Sequence, residues 1–355
     1  MPTDAGLYRT ETLLRRTLRV HYPAGRGPMR LRTDLDWDAD VHPTEVSGDG
    51  VTSTFALEAR RPFLYVKALV EESGGKPRWC VGPNLLLAMT ADQVADVYPY
   101  FDAPEEGTFS PVIERDSPIL GRKHLIRVYL PPGYQENTLR RYPVLYMQDG
   151  KNLFFPEDAF LGREWGVDEA LRLLDKMNAV DRVVVVGVYS GDRMQEYTKP
   201  GYEAYARSLV EEVKPAVDAR IRVLASPRET GLLGSSLGGV VSFYTAFQHP
   251  EAFGYAACMS STFSHKDDLV ERVLSEPKRP SKFYLDSGWP GDNYEVTLAM
   301  AMALSRSGYK VREDFLHLVF PLEAHDELAW GRRLHLPLQL GIGAVTTSER
   351  RRAGA

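Results

Sequence analysis

Two rhythms of apolar and polar residues divide this chain near residue 100. Before that point Thr17-Leu18-Arg19-Val20-His21-Tyr22 and Met29-Arg30-Leu31-Arg32-Thr33 alternate residue by residue, the period of a strand with one wet face. Val51 to Leu57 and Phe63 to Val70 continue in strand-like fashion. Turn-forming stretches such as Pro23-Ala24-Gly25 and Ser47-Gly48-Asp49-Gly50 separate them. Short strands at this spacing predict an all-β, sandwich-like domain over residues 1–100. Residues 101–116 carry Pro104, Glu105, Glu106, Gly107 and Pro111 and read as a linker.

After residue 117 the rhythm changes. Leu125 to Leu130 and Tyr142 to Met147 are apolar-rich strands, each closed by turn residues. Arg182 to Val188 is β-branched almost throughout, the pattern of a strand buried on both faces of a parallel sheet. Helical spacing appears over Val167–Leu174 and Tyr202–Arg220, and further strands over Lys282–Asp286 and Asp314–Phe320. Strands alternating with helices predict a doubly wound, mostly parallel α/β domain over residues 117–345. Residues 346–355 read as a disordered tail.

Composition adds mainly exclusions. A chain of 355 residues has room for two domains, one with a substantial core. The formal charge of −5 leaves no electrostatic footprint for nucleic acid or an anionic membrane. No apolar run approaches the roughly 20 residues that span a bilayer. Met1 to Val20 mixes Asp4, Glu11 and arginines with leucines, so no secretory signal is read there. Cys80 and Cys258, the only cysteines, read as a reduced pair, and the expectation is a cytoplasmic protein.

Chemistry enters at Gly234-Ser235-Ser236-Leu237-Gly238, a G-x-S-x-G pattern. The apolar Gly231-Leu232-Leu233 precedes it, and a helix-compatible run from Val240 follows. Strand, sharp turn and helix in that order make a nucleophile elbow, which lifts a serine above the sheet. A glycine-rich connection whose serine only caps the helix is the plainer alternative. A serine hydroxyl needs a base, and of eight histidines His325 stands out, between the final strand and a helix. The acid belongs after the preceding strand, where Asp292 is favoured, with Asp286 as the alternative and Glu295 third. Oxyanion donors are expected from the Leu237 amide and from the backbone near Gly150-Lys151. Arg163, Trp165, Arg193 and Tyr197 lie on loops expected to line the substrate pocket. No H-E-x-x-H or cysteine-rich spacing suggests a metal, and no cofactor is called for.

Assembled in order, these segments resemble the esterase family of α/β hydrolases that includes enterochelin, feruloyl and acetylxylan esterases and mycolyltransferases. The matching pieces are Tyr129-Leu130-Pro131-Pro132-Gly133-Tyr134, Tyr142 to Gly150, Trp165 to Ala170, Gly234 to Gly239 and His325 to Trp330. The resemblance implies Ser236 as nucleophile, His325 as base and the Lys151 and Leu237 backbone as oxyanion hole. Relatives often carry a glycine-threonine-x-aspartate acid loop, whereas this chain has Gly288-Trp289-Pro290-Gly291-Asp292. The first domain is similar to the sandwich that precedes the hydrolase in enterochelin esterases, and to glycan-binding early-set domains. The expectation is a serine esterase acting on a small-molecule ester such as a siderophore or phenolic ester. An acyltransferase of the same fold and a carbohydrate-binding protein with a degenerate hydrolase domain are the alternatives; self-association into a homo-oligomer is left open.

Overall fold

The computed structural model describes residues 9–27, 29–72, 75–90 and 94–343. The tail expected from residue 346 lies outside the described residues. Two compact units emerge. One takes the chain up to Gly107 together with Pro132–Arg140 and Asp175–Asn178, and the other takes Thr108–Pro131, Arg141–Leu174 and the chain from Ala179 onward.

In the first unit, Leu14–His21 pairs antiparallel with Thr52–Ala59 and parallel with Ala95–Val97. A second sheet is built on Phe63–Glu71, which pairs antiparallel with Met29–Thr33, Pro77–Trp79 and Leu85–Ala88. The alternation seen in the sequence becomes burial: Leu18, Val20, Phe55 and Leu57 from one sheet share a core with Leu31, Leu64 and Val66 from the other.

The second unit holds a nine-stranded sheet among the described residues. Its strands are β1 (Thr108–Phe109), β2 (Ile113–Ser117), β3 (Arg122–Leu130), β4 (Val144–Met147), β5 (Val184–Val188), β6 (Thr230–Ser235), β7 (Tyr255–Met259), β8 (Lys282–Trp289) and β9 (Phe315–Pro321). Their order is β1-β3-β5-β4-β6-β7-β8-β9, with β2 also pairing β3. β3 is antiparallel to β5, and every pair from β5 to β9 is parallel. Four helices bear on the site: α1 (Val167–Lys176), α2 (Leu237–Gln248), α3 (Tyr294–Arg306) and α4 (Glu327–Arg333).

The central strands β4 to β7 are buried on both faces, as parallel strands covered by helices must be. Leu145, Met147, Val185, Leu233 and Tyr284 pack with Leu171 and Leu174 of α1 and with Trp330 and Leu338. On the opposite side Phe283 of β8 stacks on Phe243 of α2, with ring centroids 4.4 Å apart. The chain is helical from Gly201 to Arg220 with a π-type turn at Leu209–Val213, just before Pro215, whose ring removes a helix donor.

One expectation is corrected here. Part of the stretch 101–116 is not a linker, because β1 and β2 lie within 108–117 and both pair with β3. These strands are held by backbone ladders at a sheet edge, and Ile113-Glu114-Arg115-Asp116-Ser117 has no apolar alternation to announce them.

Candidate active site

The strand order turns back at β4, whose neighbours are β5 and β6, so the chain leaves the sheet in opposite directions on either side of it. Crevices at the carboxyl ends of such strands are where open α/β sheets bind ligands. Gln148 to Asn152 follows β4 there, and Ser236 follows β6.

Ser236 has φ 55° and ψ −123°, a left-handed backbone that a non-glycine residue rarely holds. The turn is this tight because Gly234 has no side chain: a Cβ there would drive into the Gly238 carbonyl. Strain is thus fixed by the packing of the elbow, with the Ser236 amide donating to the Met259 carbonyl at 2.9 Å. The hydroxyl lies 3.0 Å from His325 Nε2, and His325 Nδ1 lies 2.6 Å from Asp292 Oδ1. Gly288 permits this convergence, since a Cβ there would overlap the Glu323 carbonyl of the loop that carries His325. Trp330, one helical turn into α4, sets its ring edge-on to the imidazole at 5.1 Å.

The Asp292 side chain has no exposed surface. Burial alone would raise its pKa. Hydrogen bonds from His325, Ser260 and the Gly288 and Asn293 amides outweigh that and hold the carboxyl below its ordinary value. Asp286 is placed differently. It is fully buried on β8, bonded to Arg333 Nε at 3.1 Å and to the Tyr284 hydroxyl at 2.7 Å. Its contacts are with Arg333, Tyr284 and the Ser260 amide rather than with the imidazole. Glu295 lies in the first turn of α3.

Leu237 opens α2, and Lys151 sits in the short 3₁₀ turn Gly150–Asn152 after β4. Asp149 enters that turn with φ 53°; its carboxylate accepts from Arg193 Nε at 3.0 Å and from the Ser190 hydroxyl at 3.1 Å. Arg193 also donates to the Ser235 carbonyl at 3.2 Å, so it ties the β4 turn to the elbow.

Two residues expected to line the pocket take other places. Tyr197 is fully buried, its ring 5.0 Å from that of Tyr205, with its hydroxyl accepting from the Asp149 amide. Trp165 is buried with its ring 5.7 Å from Trp330, in the layer behind His325. Arg163 does remain exposed, 3.9 Å from Asp326, the neighbour of His325. Sequence reasoning missed Ser260, Arg333, Asn152 and Glu327. Asn152 Nδ2 is 3.5 Å from Glu327 Oε1, and burial with the nearby Asp326 charge raises the Glu327 carboxyl. No motif marks them, since a serine after a strand and an arginine at a helix end are common anywhere.

Among the described residues no cluster of three or more His, Cys, Asp or Glu could hold a metal ion, and no helix is long and apolar enough to cross a membrane. Exposed apolar side chains do surround the site in sequence: Phe160, Leu161, Trp289, Leu322 and Leu328.

Residues 117–318, more than half of the chain, match the family described as "Putative esterase", and the chain belongs to that family. It is 25% identical over 217 residues to an endo-1,4-beta-xylanase/feruloyl esterase of Xylanibacter ruminicola, covering 60% of this chain and 28% of that protein. The chain spans from 28% to 61% of the length of the curated relatives it matches. A solved ferulic acid esterase superimposes with TM-score 0.56 at 19% identity, over 67% of this chain and 98% of that one. The enterobactin esterase FES of Shigella flexneri gives TM-score 0.53 at 14% identity, over 93% of each chain. At such identities the structural likeness is one of fold: an α/β sheet of the hydrolase type.

Proposed function

We propose that this protein is a serine carboxylic ester hydrolase in which Ser236, His325 and Asp292 act as a triad. One observation carries the reading: the unbroken path Asp292–His325–Ser236, with contacts of 2.6 and 3.0 Å, on a strained turn at the carboxyl edge of the sheet. Asp292 holds the Nδ1 proton of His325, leaving Nε2 free to accept from the Ser236 hydroxyl. As Ser236 Oγ bonds to the ester carbonyl carbon, its proton passes to Nε2 and the carbonyl electrons move onto oxygen. The Leu237 and Lys151 amides supply the oxyanion donors. Collapse breaks the bond to the alcohol, which leaves with the proton from Nε2. Water then repeats the cycle on the acyl-enzyme, releasing the acid and restoring Ser236.

The substrate class is proposed as a small aromatic or apolar ester with an anionic or hydroxylated part. The exposed Trp289, Leu322 and Phe160 suit an apolar body, and exposed Arg163 suits a charge. The names of the similar enzymes, ferulic acid esterase and enterobactin esterase, point the same way. The first unit is read as a β-sandwich accessory domain, and a chain with only two cysteines, Cys258 fully buried, suits a reducing compartment such as the cytoplasm. The test is titration with a chromogenic organophosphonate. One equivalent of leaving group with Ser236 modified is expected, and Ser236→Ala should lose both labelling and up to about 10⁶ of kcat while staying folded. Labelling elsewhere, or turnover by that variant, would refute the nucleophile. Acyl transfer to an added sugar faster than hydrolysis would replace hydrolase by acyltransferase.

A further inference from the structure

Past Asp292 the polar path continues into the protein. Ser260 follows β7 and is fully buried, with φ 44°, a backbone conformation that favours glycine. What a serine adds there is a hydroxyl. It contacts Asp292 Oδ2 at 2.5 Å and Arg333 Nη2 at 2.6 Å. A guanidinium can only donate, so the single Ser260 proton is directed at Asp292. Arg333, also buried, is the last residue of α4, the helix that follows the loop carrying His325. Its fork serves Asp286 on one side and Ser260 on the other, with Nη2 3.8 Å from Asp292 Oδ2. The Asn293 side chain closes the path by donating to the Ser260 carbonyl at 2.7 Å.

We infer that Ser260 and Arg333 are positioning residues for the acid: the Ser260 hydroxyl, polarised and oriented by Arg333, locks the Asp292 carboxylate in the rotation that presents Oδ1 to His325. The inference rests on the triad reading above. An aspartate on a loop can turn about its own χ angles, and a carboxylate misaligned by a fraction of an ångström no longer holds the imidazole for proton transfer. The titratable and charged groups facing Asp292 are His325, Arg333 of α4 and, across Arg333, Asp286 of β8; Asp326 and Arg163 lie beside His325.

The experiment measures kcat, KM and the pH profile for a small nitrophenyl ester in Ser260→Gly, Arg333→Lys and Asp292→Asn, singly and in pairs, with rates per phosphonate-titrated site. Ser260→Gly deletes the hydroxyl while tolerating the positive φ, which protects the fold. It is expected to lower kcat about tenfold with little change in KM. It should also move the acid limb of kcat/KM up by about half a pH unit, because a carboxylate robbed of a donor holds the proton on His325 more tightly. In the Asp292→Asn background the same substitution should add nothing. Arg333→Lys keeps the charge but not the fork; it should cost a similar factor alone and little on top of Ser260→Gly. A wild-type rate and acid limb in Ser260→Gly would overturn the inference, as would an equal loss with and without Asp292. Full activity in Asp292→Asn by itself would instead overturn the triad reading, and this inference with it.

Discussion

Asp286 and Asp292 are six positions apart on one strand and its loop, and their neutralisation should produce opposite phenotypes. Asp286→Asn removes the carboxylate that pairs with Arg333, a guanidinium only 3% exposed. An uncompensated buried charge of that kind costs about 3–5 kcal/mol of stability. For a unit of this size that lowers the melting temperature by roughly 10 °C. Asp286 does not touch His325, so kcat per titrated site should stay within about tenfold. Asp292→Asn leaves Arg333 paired with Asp286. An amide facing Nδ1 favours the tautomer that cannot accept from Ser236, and kcat should fall by about 10⁴. That factor corresponds to about 5.5 kcal/mol of transition-state stabilisation. Chromogenic ester turnover per titrated site, beside thermal unfolding monitored by circular dichroism, separates the two. A 10⁴-fold loss in Asp286→Asn without a drop in melting temperature would refute the reasoning, as would an active Asp292→Asn.

Two further outcomes follow from the fold. His124 of β3 is fully buried beside Ser208, and burial with the Arg122 charge lowers its pKa from 6.5 to about 4. Below pH 6.5 the unfolded chain gains a proton that the folded chain refuses, so stability is full above that pH and falls as pH drops toward 4. The shift corresponds to about 3 kcal/mol, and urea unfolding at pH 7 and pH 4.5 should show a smaller loss in His124→Gln; equal losses would contradict this. Gly234→Ala puts a methyl group into the Gly238 carbonyl, displacing the elbow. Its phosphonate labelling should slow by about 10²-fold, and unchanged labelling would show the elbow to be more yielding than its packing suggests.

Local pattern was enough for much of this protein. Period-two alternation set Leu18, Val20 and Leu31 on the apolar faces of their strands, and they share one core in the first unit. The β-branched run at Val184–Val188 marked a strand buried along its whole length. Ser236 was legible because an elbow is built from contiguous residues, and His325 because it sits between a last strand and a helix. These are features in which neighbours in sequence decide the geometry.

Other features depend on residues far apart in the chain. The choice between Asp286 and Asp292 turns on which carboxylate faces the imidazole, and side-chain direction at a strand end is set by packing against Ser260 and Arg333. Tyr197 and Trp165 looked like loop residues because loops have no period to reveal burial, yet their rings are packed against Tyr205 and Trp330. Strands β1 and β2 escaped notice because a backbone ladder at a sheet edge asks little of side chains. Sequence alone thus marked most of the central elements and the proposed Ser236–His325 pair, since both are encoded over a few residues. The tertiary structure alone brought Asp292 rather than Asp286 against the imidazole, and Ser260 and Arg333 against Asp292 and each other, because a buried charge finds its partners in space.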